Sequence, residues 1–344
     1  MPMWLSLIAV FVLMVVSYMM ERIGLQPVLG IVVPYLAALV FLGGFVYRLI
    51  EWARSPVPFK IPTTCGQQES LPWIRQDKLE SPSTPVQVMA RMALEVFFFR
   101  SLFRNTKTTA TGGPRLLYSS DKFLWLGGMV FHWSLLIIIV RHFRLFVEPV
   151  PWFVHALEAG DGFMQITLPT FYITDAMLVL AATYLFIRRV VIPQVKYISL
   201  PADFFPLFLI LSIAGTGILM RYVLKVNIVG VKALVNGLFT FSPAIPDNLG
   251  ETAYIFYIHL FLVSALMVYF PFSKLMHMGG VFMSPTRNMP NDSRARRHIN
   301  PWNDPGIVPH SYEAYEDEFR EMMRSVGLPL DKDNAARGEG EKEE

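Results

Sequence analysis

Six long apolar runs organise this chain: Met3 to Met20, Ile23 to Tyr47, Phe123 to Val140, Gly162 to Ile187, Phe204 to Met220 and Thr252 to Ser273. At about 1.5 Å of rise per residue, even the shorter runs approach the roughly 30 Å hydrocarbon thickness of a bilayer. The pattern predicts an all-α, polytopic membrane bundle of six transmembrane helices. No charged segment precedes the first run and no small-residue cleavage site follows it. It therefore reads as an extra N-terminal membrane helix over residues 1–22, not as a signal peptide. Residues 23–282 read as the membrane domain, with the connection 51–121 in water, and residues 283–344 as a tail.

Two pieces outside the runs carry helical signals. Thr84-Pro85-Val86-Gln87 reads as a capping box with proline at the first helical position. After it, Met89, Met92, Ala93, Val96 and Phe97 fall on one side, with Arg91, Arg100 and Arg104 nearby. That arrangement suits a helix in the inner membrane interface, or equally a short helix packed on the bundle. In the tail, Tyr312, Tyr315, Phe319, Met322 and Val326 recur at helical spacing, as in an amphipathic helix that docks a cytoplasmic partner. Packing back on its own bundle is the alternative. From Asp331 the composition is that of an unstructured segment.

Composition agrees with a membrane protein: 53% of residues are hydrophobic and 17% are charged. The net charge is only +3, but its placement is informative. Arg48 to Lys122 holds eleven Lys and Arg residues, with Arg48, Arg54, Lys60, Arg115 and Lys122 near helix ends. Leu145 to Asp161 holds none and carries Glu148, Glu158 and Asp161. Arg188, Arg189 and Lys196 follow the fourth run; Lys274, Arg287, Arg294, Arg296 and Arg297 follow the sixth. Because Lys and Arg gather on the cytoplasmic side, both termini and the 51–121 connection are expected in the cytoplasm, with the chain multi-pass in the inner (cytoplasmic) membrane. The basic clusters then call for no nucleic-acid partner. Cys65 is the only cysteine, which excludes an internal disulfide, a CxxCH attachment of haem c and a four-cysteine iron–sulfur site within this chain. Cys65 reads as an ordinary loop thiol.

The candidate chemistry lies in four histidines. His132 and His142 share the third run, and His259 and His277 share the segment Thr252 to Met278. A histidine in a bilayer span needs a polar partner. Two pairs on two antiparallel helices point to two haem groups, each iron taking one imidazole from each helix. Antiparallel order pairs His132 with His277 near the cytoplasmic side and His142 with His259 near the outer side. The 18-residue step from His259 to His277 is five helical turns, and the 10-residue step from His132 to His142 falls about 80° short of three. The vertical separations differ, about 15 Å against about 27 Å on straight helices. A bend at Pro271, tilted haem planes or crossing helices would absorb that difference. Interhelical hydrogen bonding is the alternative use of these histidines. A zinc site is excluded by spacing, since the two pairs stand several turns apart.

Arg141, Arg144 and Arg221 lie at outer helix ends, where haem propionates would need cationic partners; interfacial snorkelling is the alternative. Asp175 lies inside the fourth run near its outer end and is a candidate proton acceptor for quinol oxidation, with a salt bridge to Arg141 or Arg221 as the rival reading. Gly127-Gly128 and Ala214-Gly215-Thr216-Gly217 read as close-approach sites without chemistry of their own. Electrons leaving two such haems must pass to another subunit or a mobile carrier. A haem-free anchor or transporter with a histidine proton path is a different class of reading. It calls for further ionisable residues along the spans, and few are present beyond Asp175.

The 10- and 18-residue histidine steps resemble those of the nitrate reductase gamma subunit family, five-helix di-haem cytochromes b. Spans two to six would match those five helices, leaving the first as an addition. The stretches Ile61-Pro-Thr-Thr-Cys65-Gly-Gln-Gln, Ser70-Leu-Pro-Trp-Ile, Met92-Ala-Leu-Glu-Val, Phe99-Arg-Ser-Leu-Phe-Arg-Asn, Phe131-His-Trp-Ser, Arg141-His142-Phe-Arg and Glu148-Pro-Val-Pro are similar to those of the membrane cytochrome b subunits of Dsr (dissimilatory sulfite reduction) complexes. This resemblance implies haem iron ligation by His132, His142, His259 and His277 and two haem b groups. It implies menaquinol or menaquinone as substrate, oxidised near the outer haem. A cytoplasmic iron–sulfur subunit resembling that of heterodisulfide reductase would receive the electrons, with other Dsr membrane-complex subunits as neighbours. The same architecture can run electrons towards quinone in sulfur oxidation. A gamma subunit of another respiratory oxidoreductase, such as nitrate reductase, is the alternative.

Overall fold

The computed structural model describes residues 1–57, 66–110, 116–163, 170–296, 306, 308 and 310–332. Lys60, Cys65, Arg115 and Arg297, the motif residues 61–65 and the tail after Lys332 lie outside them. Residues 1–295 form one compact unit and residues 296–344 a second.

In the first unit the helices are α1 (Pro2–Arg22), α2 (Val33–Ala53, entered through a π turn at Val28–Val32), α3 (Pro85–Phe98) and α4 (Arg100–Phe103). A hairpin of β1 (Thr106–Ala110) and β2 (Leu116–Ser120) leads to α5 (Lys122–His142) and α6 (Trp152–Asp161). Then come α7 (Ile173–Val191), α8 (Pro193–Ile198), α9 (Pro201–Ile218), α10 (Ile228–Phe239), α11 (Ala253–Tyr269) and α12 (His277–Gly280). The tail unit holds α13 (Tyr312–Ser325), capped by Ser311 through Ala314 N–H. It spans the stretch where helical spacing was expected.

Five helical stretches are long and apolar enough to cross a membrane: Pro2–Arg22, Val28–Ala53, Lys122–Leu145, Pro201–Val223 and Asp247–Phe272. At most 39% of the apolar window of any of them is buried in protein, so the remaining apolar surface requires lipid. The fourth expected span is shorter than its apolar run. Its helix α7 begins at Ile173, not Gly162, because Gly162–Phe163 pairs with Phe171–Tyr172 in a two-residue ladder. Asp161 then accepts Thr174 N–H at 2.9 Å and Thr174 Oγ1 at 2.6 Å, fixing where the first helical turn can start. With 19 residues, α7 is about 28 Å long, and its charges sit at its rims: Asp175 in the first turn, Arg188 and Arg189 in the last.

α7 lies along α5, α9 along α7, and α11 against α1, α2 and α9. The first helix is thus a wall of the bundle. Val10 of α1 is buried with Leu209 of α9 and Ile258 and Leu262 of α11. Phe131 of α5 is buried with Leu178, Ala181 and Ala182 of α7 and Ile210 of α9. At one end, α10 closes a third cluster with Leu29, Leu234, Leu249, Phe256 and Tyr257. Lys232 of α10 pairs there with Glu148, and Asn236 Nδ2 donates to the Phe146 carbonyl at 2.8 Å.

The opposite end gathers α3, α4, the hairpin and the chain after α11. Thr84 caps α3 by accepting Gln87 N–H at 3.4 Å. Gln87 Oε1 reaches back to Ser83 N–H at 2.9 Å, one residue beyond the expected box. Asp121 pairs with Lys107 at 2.9 Å and with Arg188 at 2.8 Å. Burial alone would raise its carboxyl pKa, but the two cations outweigh that and hold it below the usual range. This contribution to stability is therefore present at neutral pH and lost as pH falls through the carboxylate range.

The last run is not one helix to Met278. α11 ends at Tyr269, a tight turn covers Phe270–Phe272, and Ser273 is extended at φ −124° and ψ 175°. Pro271 supplies no backbone N–H to continue the helix and packs on Gly44, where a Cβ would come within 2.7 Å of the ring. His277 thus stands on a separate short element, and the five-turn relation to His259 does not hold.

Gly127 is a close helix contact: a Cβ there would lie 2.6 Å from two Tyr184 ring carbons across the α5–α7 seam. Gly127→Ala is expected to cost about 1–3 kcal/mol. Thermal unfolding of the detergent-purified protein should show a lower midpoint. The same change made on a Tyr184→Ala background should cost little, and an equal loss in both backgrounds would place the strain elsewhere.

Candidate functional site

Every one of the four histidines has Nδ1 engaged. His132 Nδ1 lies 2.7 Å from the Gly128 carbonyl and His142 Nδ1 lies 2.7 Å from the Ile138 carbonyl, each one helical turn back on α5. His277 Nδ1 lies 2.7 Å from the Lys274 carbonyl. A carbonyl only accepts, so Nδ1 carries the proton in all three rings. His259 instead meets Thr216 Oγ1 of α9 at 2.9 Å. That hydroxyl lies 2.9 Å from the Ser212 carbonyl and 3.0 Å from the Ile213 carbonyl, where it donates its single proton, so it accepts from His259. Among the described residues no hydrogen bond reaches any of the four Nε2 atoms. A neutral imidazole with Nδ1–H held by an acceptor and Nε2 free is the form that ligates a metal.

The structure brings the histidines together across the bundle. His132 and His277 stand with ring centres 5.9 Å apart and planes at 84°. Two imidazoles on opposite sides of one metal, with bonds of about 2 Å, have centres about 6 Å apart. The spacing therefore fits one iron between them. Gly217 leaves His259 its room, since a Cβ there would sit 3.4 Å from the ring. α5 is not among the helices closely packed on α11. The residues of the His132–His277 pair fit a haem iron held between them.

The arginines divide by their partners. Arg141 is buried and doubly paired, at 2.5 Å to Asp175 and 3.3 Å to Asp161. Arg144 pairs with Glu158 at 2.6 Å. Arg221 makes no ion pair among the described residues; one amino group donates to the Thr170 carbonyl at 3.2 Å, and its buried Nε lacks a hydrogen-bond partner there. Of the three propionate candidates, it alone has no carboxylate partner among the described residues, although the Nε of Arg141 also lacks a hydrogen bond there. Tyr172 lies between the two guanidinium groups, 3.8 Å from Arg141 and 4.3 Å from Arg221. Such stacking stabilises a cation where water is scarce.

Asp175 has the salt bridge to Arg141 that was its rival reading. Its other oxygen accepts the Tyr222 hydroxyl at 2.8 Å, and Tyr222 Oη in turn accepts Tyr172 N–H at 3.1 Å. Together Asp161, Thr174, Asp175, Tyr222 and the two arginines form one polar network at the α6–α10 end of the bundle. Five members of the site, Thr174 among them, went unread in the sequence. Thr216 sits in a stretch taken to lack chemistry, yet it orients His259. Asp161, Tyr172 and Tyr222 enter through contacts 13 to 50 residues distant in sequence. Only the placement of aromatic and acidic residues beside Arg141 and Arg221 hinted at them.

Residues 87–290 match the nitrate reductase gamma subunit family. The matched stretch holds α5, α7, α9 and α11 with all four histidines, while α1 and α2 precede it. The Hdr-like menaquinol oxidoreductase cytochrome b-like subunit of Archaeoglobus fulgidus is 46% identical over 286 residues, spanning 82% of this chain and 85% of that protein. The subunit of the same description from Archaeoglobus profundus is 41% identical over 273 residues, spanning 78% and 81%. With more than half its length matched and two such relatives along most of it, the chain belongs to the nitrate reductase gamma subunit family.

Proposed function

We propose that this chain is the quinone-reacting di-haem cytochrome b subunit of a membrane oxidoreductase. It would pass electrons between menaquinol and a cytoplasmic iron–sulfur subunit resembling that of heterodisulfide reductase. The observation that carries the reading is the uniform state of the four histidines, each with Nδ1 bonded and Nε2 free. His132 with His277 would hold the haem b nearer the cytoplasm, and His142 with His259 the outer one. Bound there, each haem takes up and gives back one electron at a time. The relatives' description supports menaquinol and an Hdr-like assembly over a nitrate reductase complex. The loop motifs support a Dsr-type complex of sulfite reduction, with its other membrane-complex subunits as neighbours.

The chain's own residues have distinct tasks. Lone pairs on Nε2 would bind iron, and the acceptors behind Nδ1 hold each ring plane and raise its basicity. Thr216 does this for the outer pair. Arg221 supplies the cation that a propionate at the outer haem needs. Menaquinol gives up two protons with its electrons. Asp175, held by Arg141 and reached by the Tyr222 hydroxyl, is the carboxylate placed to take one. Orientation follows the basic loops, with both termini and α3 at the cytoplasmic side and α6 and α10 outside.

A pyridine haemochrome assay on the purified chain should give two haems b per polypeptide. His142→Ala and His259→Ala should each leave one haem, as should His132→Ala and His277→Ala; retention of both haems in any of these would sink the pairing. Thr216→Val removes the acceptor behind His259 at nearly constant volume. It should raise the midpoint potential of one haem only, because a less basic imidazole stabilises ferric iron less, while Thr216→Ser keeps both potentials. Asp175→Asn should slow haem reduction by a menaquinol analogue at least tenfold with dithionite reduction unchanged. Equal rates with the quinol would remove Asp175 from the proton path.

A further inference from the structure

The connection between α2 and α5 touches the His132 ring and is tied to the chain that follows His277. α3 ends at Phe98, and Phe99, a non-glycine residue, takes left-handed angles of φ 49° and ψ 49° before α4 begins. Such a conformation costs on the order of 1 kcal/mol and persists where surrounding contacts enforce it. Here the contacts are specific. The Phe99 ring lies 5.0 Å from the His132 ring, edge to face at 70°. The last carbonyls of α3, which have no helical partner, are taken by two indoles of α5. Trp133 Nε1 donates to Phe97 O at 3.1 Å, and Trp125 Nε1 donates to Phe98 O at 2.7 Å. Phe97 stacks on Trp133 at 6.3 Å, and Phe103 meets Trp125 at 4.9 Å.

The other face of the same helix holds the chain that follows His277. Arg91 donates to the Thr286 carbonyl at 3.2 Å, and Glu95 pairs with Arg287 at 3.3 Å. Just ahead of the helix, Asn291 N–H donates to the Pro82 carbonyl at 2.6 Å. One 14-residue helix is thus tied at its end to the element bearing His132 and along its length to the segment leaving His277. Neither histidine lies on this helix, so these ties fix the separation of two rings that the main bundle leaves to separate elements.

We propose that α3 with Phe99 is the clamp of the inner pair, Phe99 being a positioning residue that holds the His132 ring and keeps water from the iron it would bind. The inference rests on the haem-ligation reading above. Removing the ring admits water, which favours the more charged ferric state and lowers the potential of the nearby haem. Phe99→Gly deletes the ring and suits the left-handed backbone, so the fold is not penalised by strain.

The test is a redox titration of both haems with EPR of the oxidised protein, on the full-length chain in detergent. In Phe99→Gly the haem that is lost in His132→Ala should shift to a lower midpoint and altered g values, while the other stays put and two haems remain bound. Phe99→Tyr should retain wild-type values. Glu95→Gln, which breaks the tie to Arg287, should move the same haem by a smaller amount. Two bound haems with unmoved potentials in Phe99→Gly, or equal shifts of both, overturn the clamp alone. A wild-type chain that binds no haem overturns both the clamp and the reading on which it rests.

Discussion

A polar ring surrounded by hydrocarbon must spend its N–H on something nearby, and much of this bundle follows from where four imidazoles spend theirs. Two use carbonyls of their own helix one turn earlier. One uses a carbonyl in the turn that carries it. The fourth has no such local arrangement and draws on a threonine of a neighbouring helix, which ties α11 to α9. With the protons placed, the lone pairs all remain on Nε2. Gly217 serves the same end, since it leaves room for the His259 ring.

Charge is handled by the same economy of partners. At the rims of the spans, cations meet carboxylates directly: Arg188 with Asp121, Lys274 with Asp203, Arg144 with Glu158. Where the network goes deeper, Arg141 is held by two carboxylates and an aromatic face together. A buried cation so enclosed cannot be stripped of one partner without leaving the rest uncompensated. Arg221 shares that aromatic face but has no carboxylate of its own among the described residues, and it is the one place in the network with a charge to spare.

The long apolar runs made the spans legible, because a bilayer demands uninterrupted hydrocarbon and little else in water does. The residues around the site were less legible for physical reasons. α6 and α10 are short, and their burial depends on tertiary neighbours such as Glu148 and Phe146. A threonine in a membrane helix ordinarily bonds its own backbone, and Thr216 does so too; its second role appears only when His259 is set beside it. Antiparallel order sufficed to set His132 opposite His277. The route was different, since the uniform helix assumed for the step from His259 ignores what Pro271 does to the chain. Asp175 had two readings in the sequence; the structure shows the salt bridge to Arg141, and adds the Tyr222 hydroxyl on its other oxygen.

The break after α11 has a mechanical meaning. His259 is rigidly part of a long helix wedged among α1, α2 and α9. His277 belongs to a short element that rests on α2 instead, with Gly279 against Leu49 and Gly280 beside Trp52. The two histidines that follow one another along the chain are therefore seated separately, His259 by three helices around α11 and His277 by the end of α2.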